Sequence, residues 1–168
     1  MKVALGSVVK GFALKSVIKK HLEELGHEVV DVGCPDTAVF AKYSSVGERI
    51  ARALQSGRAE LAVNICGSGT GAALAAGKFR GVCAVSCETI ETARLARVIN
   101  DANCLCMGES IVAPDRACKM VDAFLAARFQ DVEGIPENVL AFWKEARDEF
   151  MARGPEARER EVETLPET

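Results

Sequence analysis

Short apolar runs alternate with longer amphipathic segments along most of the chain. The runs are rich in β-branched residues and predict strands over residues 2–5, 28–32, 61–65, 81–85 and 104–107. Apolar residues recur at helical spacing in between, which predicts helices over residues 12–25, 72–78, 88–99 and 113–127. A further helix is predicted to begin at a cap, Ser44 or Ser45, and to run to about residue 55. A last amphipathic helix is predicted over residues 137–153, after the fifth strand and its helix.

This alternation predicts an α/β fold with a five-stranded parallel sheet covered by helices on both faces. Ligands bind such sheets outside the carboxyl ends of the strands, here at the loops 6–11, 33–43, 66–71 and 86–88. We therefore expect Ser7, in the first loop, to contact substrate. We predict one domain over residues 1–153, followed by a charged, disordered tail over residues 154–168.

Composition excludes several classes of function. The chain has 168 residues and a net charge of −3, so bulk charge does not favour nucleic-acid binding. No run approaches the ~20 apolar residues of a membrane span. Most of the seven cysteines lie in apolar runs, which favours a reducing, cytoplasmic setting. Cys104 and Cys106 are too close in sequence for a zinc site, and we predict neither a metal nor a cofactor.

The most informative segment, Asn64–Gly71, follows the third predicted strand and contains three alternating glycines. Glycines at this spacing let backbone N–H groups converge on a negative oxygen, as in an anion cradle or an oxyanion hole. Cys66 begins the loop and is a candidate base or nucleophile; the alternative is a buried residue at the end of a strand. The spacing fits neither a Walker A loop nor a dinucleotide fingerprint.

The chain resembles the ribose-5-phosphate isomerase B family, which includes the galactose-6-phosphate isomerase subunits. The resemblance rests on four elements: Ala4-Leu5-Gly6, the loop Ile65–Gly71, Ala75-Ala76-Gly77-Lys78-Phe79 and Asn100-Asp101-Ala102-Asn103. It implies a Rossmann-like αβα sandwich, active sites at a dimer interface and a C-terminal helix that packs on the partner chain. It also implies the interconversion of aldose and ketose sugar phosphates through a cis-enediolate.

The resemblance also implies roles for individual residues. Cys66 would be the base that moves a proton between C1 and C2, and Ser68 would assist proton transfer between the two oxygens. The backbone amides of Gly67, Gly69, Thr70 and Gly71 would hold the enediolate. Tyr43 would line the pocket, and Asn100 would contact sugar hydroxyls.

The chain departs from the family pattern at polar positions. Val8 and Val9 stand where the family has Asp-His, and Ile99 replaces the histidine that opens the sugar ring. Ser110 occupies a position of a phosphate-binding arginine. These changes favour altered specificity, for an open-chain substrate such as a tetrose derivative or one with a deoxygenated carbon.

Three hypotheses follow. The first is an aldose–ketose isomerase acting on a small sugar or sugar phosphate. The second is a catalytically silent member that acts as a subunit of a hetero-oligomeric isomerase or as a sugar-binding protein. The third is a protein whose glycine loop binds the phosphate of a nucleotide. Under each we expect a homodimer or homotetramer, with an unlike subunit as the alternative, because the last helix carries Phe142, Trp143 and Phe150.

Overall fold

A computed structural model describes residues 1–153 and contains one five-stranded, all-parallel sheet. The strands are β1 (Lys2–Ser7), β2 (Glu28–Asp31), β3 (Leu61–Cys66), β4 (Ala84–Ser86) and β5 (Cys104–Gly108). The α-helices within residues 1–153 are α1 (Phe12–Glu24), α2 (Tyr43–Gln55), α3 (Thr70–Ala76), α4 (Ile90–Asn100), α5 (Pro114–Ala126) and α6 (Glu137–Ala152). The predicted fold class is therefore confirmed, while the tail predicted to be disordered lies outside the described residues.

The order of the strands places a crevice at one edge of the sheet. The order is β2-β1-β3-β5-β4, so the chain adds strands on one side of β1 and then on the other. Ser7 of β1 pairs with Ile65 of β3, and Cys66 pairs with Gly108 of β5. The carboxyl ends of β1 and β3 therefore meet at the topological switch point, where open parallel sheets bind ligands.

The two faces of the sheet are covered by helices of different character. Large side chains of α1 and α5, such as Leu14, Ile18 and Phe124, fill one face. The other face is built mainly from the small alanines and cysteines of β3, β5, α2 and α3. Small residues let helices approach closely: a Cβ on Gly47 would lie 2.4 Å from the Ala75 Cβ. This contact fixes α2 against α3 beside the switch point.

Several boundaries near the crevice differ from the sequence prediction. Strand β1 extends to Ser7 rather than residue 5, and α3 begins at Thr70 rather than residue 72. Helix α2 begins at Tyr43, and no side chain caps its first turn, so the prediction that Ser44 or Ser45 caps it was wrong. Strand β4 covers Ala84–Ser86 rather than residues 81–85, because Gly81 adopts a φ of 74° in the turn that precedes it.

Helix α6 lies on the outside of the domain and none of its residues is buried. Arg147 anchors it: Nη1 lies 3.3 Å from Asp101 Oδ2, and the guanidinium stacks 4.8 Å from the Phe129 ring centroid. Phe142 and Phe150 remain 66% and 49% exposed. Packing of this helix on a partner chain stays a prediction.

Over residues 1–153, no helix combines the length and apolar character that a membrane span requires.

Candidate active site

A cavity of about 550 Å³ opens at the carboxyl ends of β1 and β3. Its walls come from the end of β1, the loop before α2, the glycine loop and the first turns of α2 and α3. The lining residues are Val8, Ala41, Lys42, Tyr43, Cys66, Gly67, Ser68, Thr70, Gly71 and Leu74. The structure thus brings most of the predicted site residues together in one chain.

Cys66 ends β3 at the floor of this cavity and is 7% exposed. The backbone N–H of Gly69 donates a hydrogen bond to its Sγ over 3.1 Å. A donor aimed at sulfur stabilises negative charge on it, which a base that removes a carbon-bound proton needs. Cys66 therefore lines the cavity, and its role as the base stays a prediction.

Gly69 is the residue that makes this contact available. Its φ of 87° lies in the left-handed region, and a Cβ there would approach the Ser86 Oγ to 2.8 Å and the Met107 carbonyl carbon to 2.9 Å. Both the conformation and the space exclude any other residue. The turn then leads directly into α3 at Thr70.

The glycine loop is held from behind by the end of β5. The N–H groups of Glu109 and Ser110 donate to the carbonyl oxygens of Cys66 and Gly67, at 2.9 and 3.0 Å. Among residues 1–153, the loop has four backbone N–H groups that donate to no protein acceptor, those of Gly67, Ser68, Thr70 and Gly71. A fixed loop with free donors is the arrangement that holds an oxyanion without reorganising.

Ser68 and Thr70 present a pair of hydroxyl groups to the same cavity. Their oxygens, Oγ and Oγ1, lie 2.8 Å apart, which is a hydrogen bond in either direction. Both side chains are exposed to solvent, so the pair faces a ligand rather than the core. The sequence indicated Ser68 as a proton-transfer residue but did not reveal that Thr70 fixes its hydroxyl.

Three of the predicted binding residues lie outside the cavity lining: Gly69, whose N–H is already bound to Cys66 Sγ, Ser7 and Asn100. Ser7 is fully buried, with its Oγ 3.6 Å from Cys34 Sγ. Asn100 is exposed at the carboxyl end of α4. Contact of any of the three with substrate stays a prediction, and for Asn100 it would have to come from another copy of the chain or from a change of shape.

Sequence reasoning missed Lys42 and Leu74 as lining residues. Lys42 stands directly before Tyr43 in the loop that the carboxyl-end rule selects, so its position was the available signal. Leu74 lies in a helix of small residues, one turn beyond the glycine loop, and no motif in the sequence marks it.

The charges in the cavity are sparse. Lys42 is the one charged side chain among the lining residues, and Val8 and Leu74 give the cavity apolar walls. Neither histidine reaches it: His21 Nε2 lies 2.6 Å from Asp122 Oδ1, between α1 and α5. The described lining therefore offers no imidazole or carboxylate as an acid.

Buried thiols lie behind Cys66. Cys106 accepts or donates a hydrogen bond with Cys104 at 3.7 Å, and this contact together with burial raises the pKa of Cys106 well above its ordinary value. Burial also raises the pKa of Cys87. These thiols stay protonated at neutral pH, so they act as small apolar residues. Among residues 1–153, no group of three or more side chains is arranged to hold a metal ion.

Comparison with known proteins decides the family. Residues 3–138 match the model of the family described as Ribose/Galactose Isomerase. The chain belongs to this family. It is 39% identical over 151 residues to 4-deoxy-4-sulfo-D-erythrose isomerase of Clostridium sp. strain MSTE9, which is 90% of this chain and 89% of the relative.

Members of the family with other names also match. Ribose-5-phosphate isomerase B of Escherichia coli K12 is 37% identical over 129 residues, 77% of this chain and 86% of that protein. The solved structure of ribose-5-phosphate isomerase B from Clostridium thermocellum superimposes with a TM-score of 0.78 at 34% identity and covers 88% and 96% of the two chains. The predicted resemblance and the Rossmann-like sandwich are confirmed, and the chain is a sugar isomerase.

Proposed function

We propose that this isomerase interconverts the aldose and the ketose of a four-carbon sugar that carries a sulfonate at C4, 4-deoxy-4-sulfo-D-erythrose and its ketose, 4-deoxy-4-sulfo-D-erythrulose. The relative named for this aldose matches nine-tenths of the chain. The lining of the cavity supports the same substrate class on chemical grounds.

The observation that carries the proposal is the lack of an acid to open a sugar ring. Val8 lines the cavity, and no histidine or carboxylate does so among the described residues. A pentose phosphate is mostly cyclic and must be opened before its C2 proton can leave. A tetrose whose C4 bears sulfur in place of oxygen has no hydroxyl positioned to close a furanose. Such a substrate arrives as the open aldehyde, and the enzyme needs no ring-opening group.

Cys66 is the proposed base. Its thiolate removes the proton from C2 of the aldose, and the electrons of that C–H bond form the C1–C2 double bond of a cis-enediolate while negative charge moves to O1. The Gly69 N–H, 3.1 Å from Sγ, stabilises the thiolate before transfer. The resulting thiol then returns the proton to C1, which yields the ketose and regenerates the thiolate.

The glycine loop and the hydroxyl pair complete the chemistry. The free N–H groups of Gly67, Thr70 and Gly71 would hold the developing oxyanion. The Ser68 hydroxyl would carry a proton from O2 to O1, with its direction set by the hydrogen bond to Thr70. No atom is gained or lost, and no redox partner is required.

We further infer assembly of at least two copies through the exposed face of α6. Phe142 and Phe150 are large apolar groups left in water, which soluble chains usually cover. Sedimentation of the wild type and of Phe142→Ser with Phe150→Ser tests this. A wild type that sediments as a monomer contradicts the inference.

Deuterium incorporation tests the proposed function. Wild type and Cys66→Ser are incubated in D₂O with 4-deoxy-4-sulfo-D-erythrose, D-erythrose 4-phosphate, D-ribose 5-phosphate and D-erythrose, and mass spectrometry follows label at C1 and C2. We expect the wild type to convert the sulfonated tetrose fastest and the variant to lose both conversion and exchange. A wild type faster on ribose 5-phosphate refutes the substrate, and no exchange with any sugar favours the silent-subunit hypothesis.

A further inference from the structure

We propose that Lys42 binds the anionic group at C4 of the substrate and so determines the enzyme's preference for a charged tetrose. This inference rests on the proposed function, since it assigns the far end of the same substrate. Cys66 and the glycine loop act on C1 and C2, which leaves the C4 sulfonate without an assigned partner. Lys42 lines the same cavity and supplies that partner.

Position supports this role for Lys42. It lies directly before α2, next to Tyr43, while Cys66 and Gly67 belong to the loop after β3. Lys42 and the two loop residues line the same cavity. A small substrate in this space therefore meets both the backbone donors of the loop and an ammonium group.

Charge supports it as well. Lys42 is the one charged side chain in the lining, and within residues 1–153 its ammonium forms no hydrogen bond or ion pair. Lys10 offers a contrast: it lies over Gly67, but its Nζ is 3.7 Å from Glu109 Oε1. An ammonium without an acidic partner beside a carboxylate-free cavity attracts an anion, whereas the charge of Lys10 is partly offset by Glu109.

The chemistry of lysine suits a terminal sulfonate. An ammonium on a flexible four-carbon stem acts as a point charge with three donors, and it follows a tetrahedral anion without the planar geometry that arginine imposes. Val8 and Leu74 add apolar surface to the same lining, so Lys42 is the cationic group that the cavity offers to an anion. Neutral sugars gain nothing from this contact.

Substrate charge is the variable that tests the inference. Wild type, Lys42→Met and Lys42→Arg are assayed with 4-deoxy-4-sulfo-D-erythrose and with uncharged 4-deoxy-D-erythrose, which likewise has no C4 hydroxyl to close a furanose. We expect Lys42→Met to raise KM for the sulfonated sugar by about tenfold, the effect of one charge-assisted hydrogen bond, and to leave kcat/KM for 4-deoxy-D-erythrose unchanged. Lys42→Arg keeps the charge and should restore most of the affinity. Lys20→Met, which removes an exposed charge on α1, is the matched control.

Two results would overturn the inference while the proposed function stands. One is equal loss on both sugars in Lys42→Met, which indicates a structural role. The other is an unchanged KM in Lys42→Met together with a raised KM in Lys10→Met, which places the sulfonate beside the glycine loop instead.

Failure of the proposed function is separately visible. If the wild type converts no tetrose, titration calorimetry with the reduced alcohol, 4-deoxy-4-sulfoerythritol, still reports the anion contact. Binding that Lys42→Met weakens about tenfold supports the inference. Equal binding by both proteins, or none by the wild type, rejects it.

Discussion

The backbone N–H of Gly69 donates to the sulfur of Cys66 over 3.1 Å, across a turn that only glycine can form. One glycine therefore sets both the path of the loop and the charge environment of the proposed base. The contact is local in sequence, yet it depends on Ser86 and Met107, which leave no room for a side chain at position 69.

Replacement of Gly69 should damage stability and catalysis together. In Gly69→Ala, the left-handed backbone costs about 1 kcal/mol, and the collision of the new Cβ with Ser86 and Met107 adds to it. We expect lower urea stability and a loss of deuterium exchange. Gly26→Ala is the control, since Gly26 has a φ of 78° with open space around it. Gly26→Ala should be less stable only by the cost of the left-handed backbone, and it should remain fully active. Equal activity in the two variants would contradict the role of Gly69 in positioning the loop around Cys66.

The hydroxyl pair predicts a defect in turnover rather than in binding. Thr70→Val keeps the shape of the side chain but leaves Ser68 without its 2.8 Å partner. We expect kcat to fall about tenfold with little change in KM, and Thr70→Ser to restore it. The double variant Ser68→Ala with Thr70→Val should be no slower than Ser68→Ala alone, because the two residues act as a unit. Additive losses would show that Thr70 acts independently of Ser68.

Buried Lys15 ties the loop before α2 to the sheet. Its side chain is 3% exposed and donates to both carboxylate oxygens of Asp31 and, over 2.6 Å, to the Cys34 carbonyl. Lys15→Met should cost about 3 kcal/mol in urea unfolding, because a buried carbonyl loses its donor and Asp31 its main partner. Lys19→Met should cost less than about 0.5 kcal/mol, since Lys19 is more exposed and 3.9 Å from the same carboxylate. Similar losses in both variants would argue against a structural role for Lys15.

Stability should decline in alkaline solution through Cys83. Burial, with the nearby Asp101 carboxylate, raises the pKa of this thiol from 9.0 to about 11. The folded protein therefore keeps a proton that the unfolded chain releases, so raising the pH above 9 favours unfolding. Between pH 8 and 11 this thiol accounts for a loss of about 2 kcal/mol. Urea unfolding of the wild type and of Cys83→Ala measures it, and the variant should show the flatter pH dependence. Parallel curves would count against this prediction.

Most of the fold could be predicted from the sequence because it rests on local patterns. The β-branched runs and the amphipathic segments correctly predict five strands and the helices that follow them, within a few residues. The cap of α2 was predicted wrongly at Ser44 or Ser45, since the helix begins at Tyr43 without any side-chain cap. Capping depends on the path of the incoming loop, which Lys15 and Cys34 hold from a distance.

The sequence by itself determined the family, the parallel sheet and the glycine loop that begins at Cys66, because these features lie in short contiguous segments whose spacing is visible. Only the tertiary structure decided which side chains share the cavity. It placed Lys42 and Leu74 in one cavity with Cys66 and left Ser7 buried beside Cys34. Such neighbours come from different elements joined at the switch point of the sheet. Their proximity follows from the order of the strands and the packing of α2 on α3, and no periodicity along the chain records either.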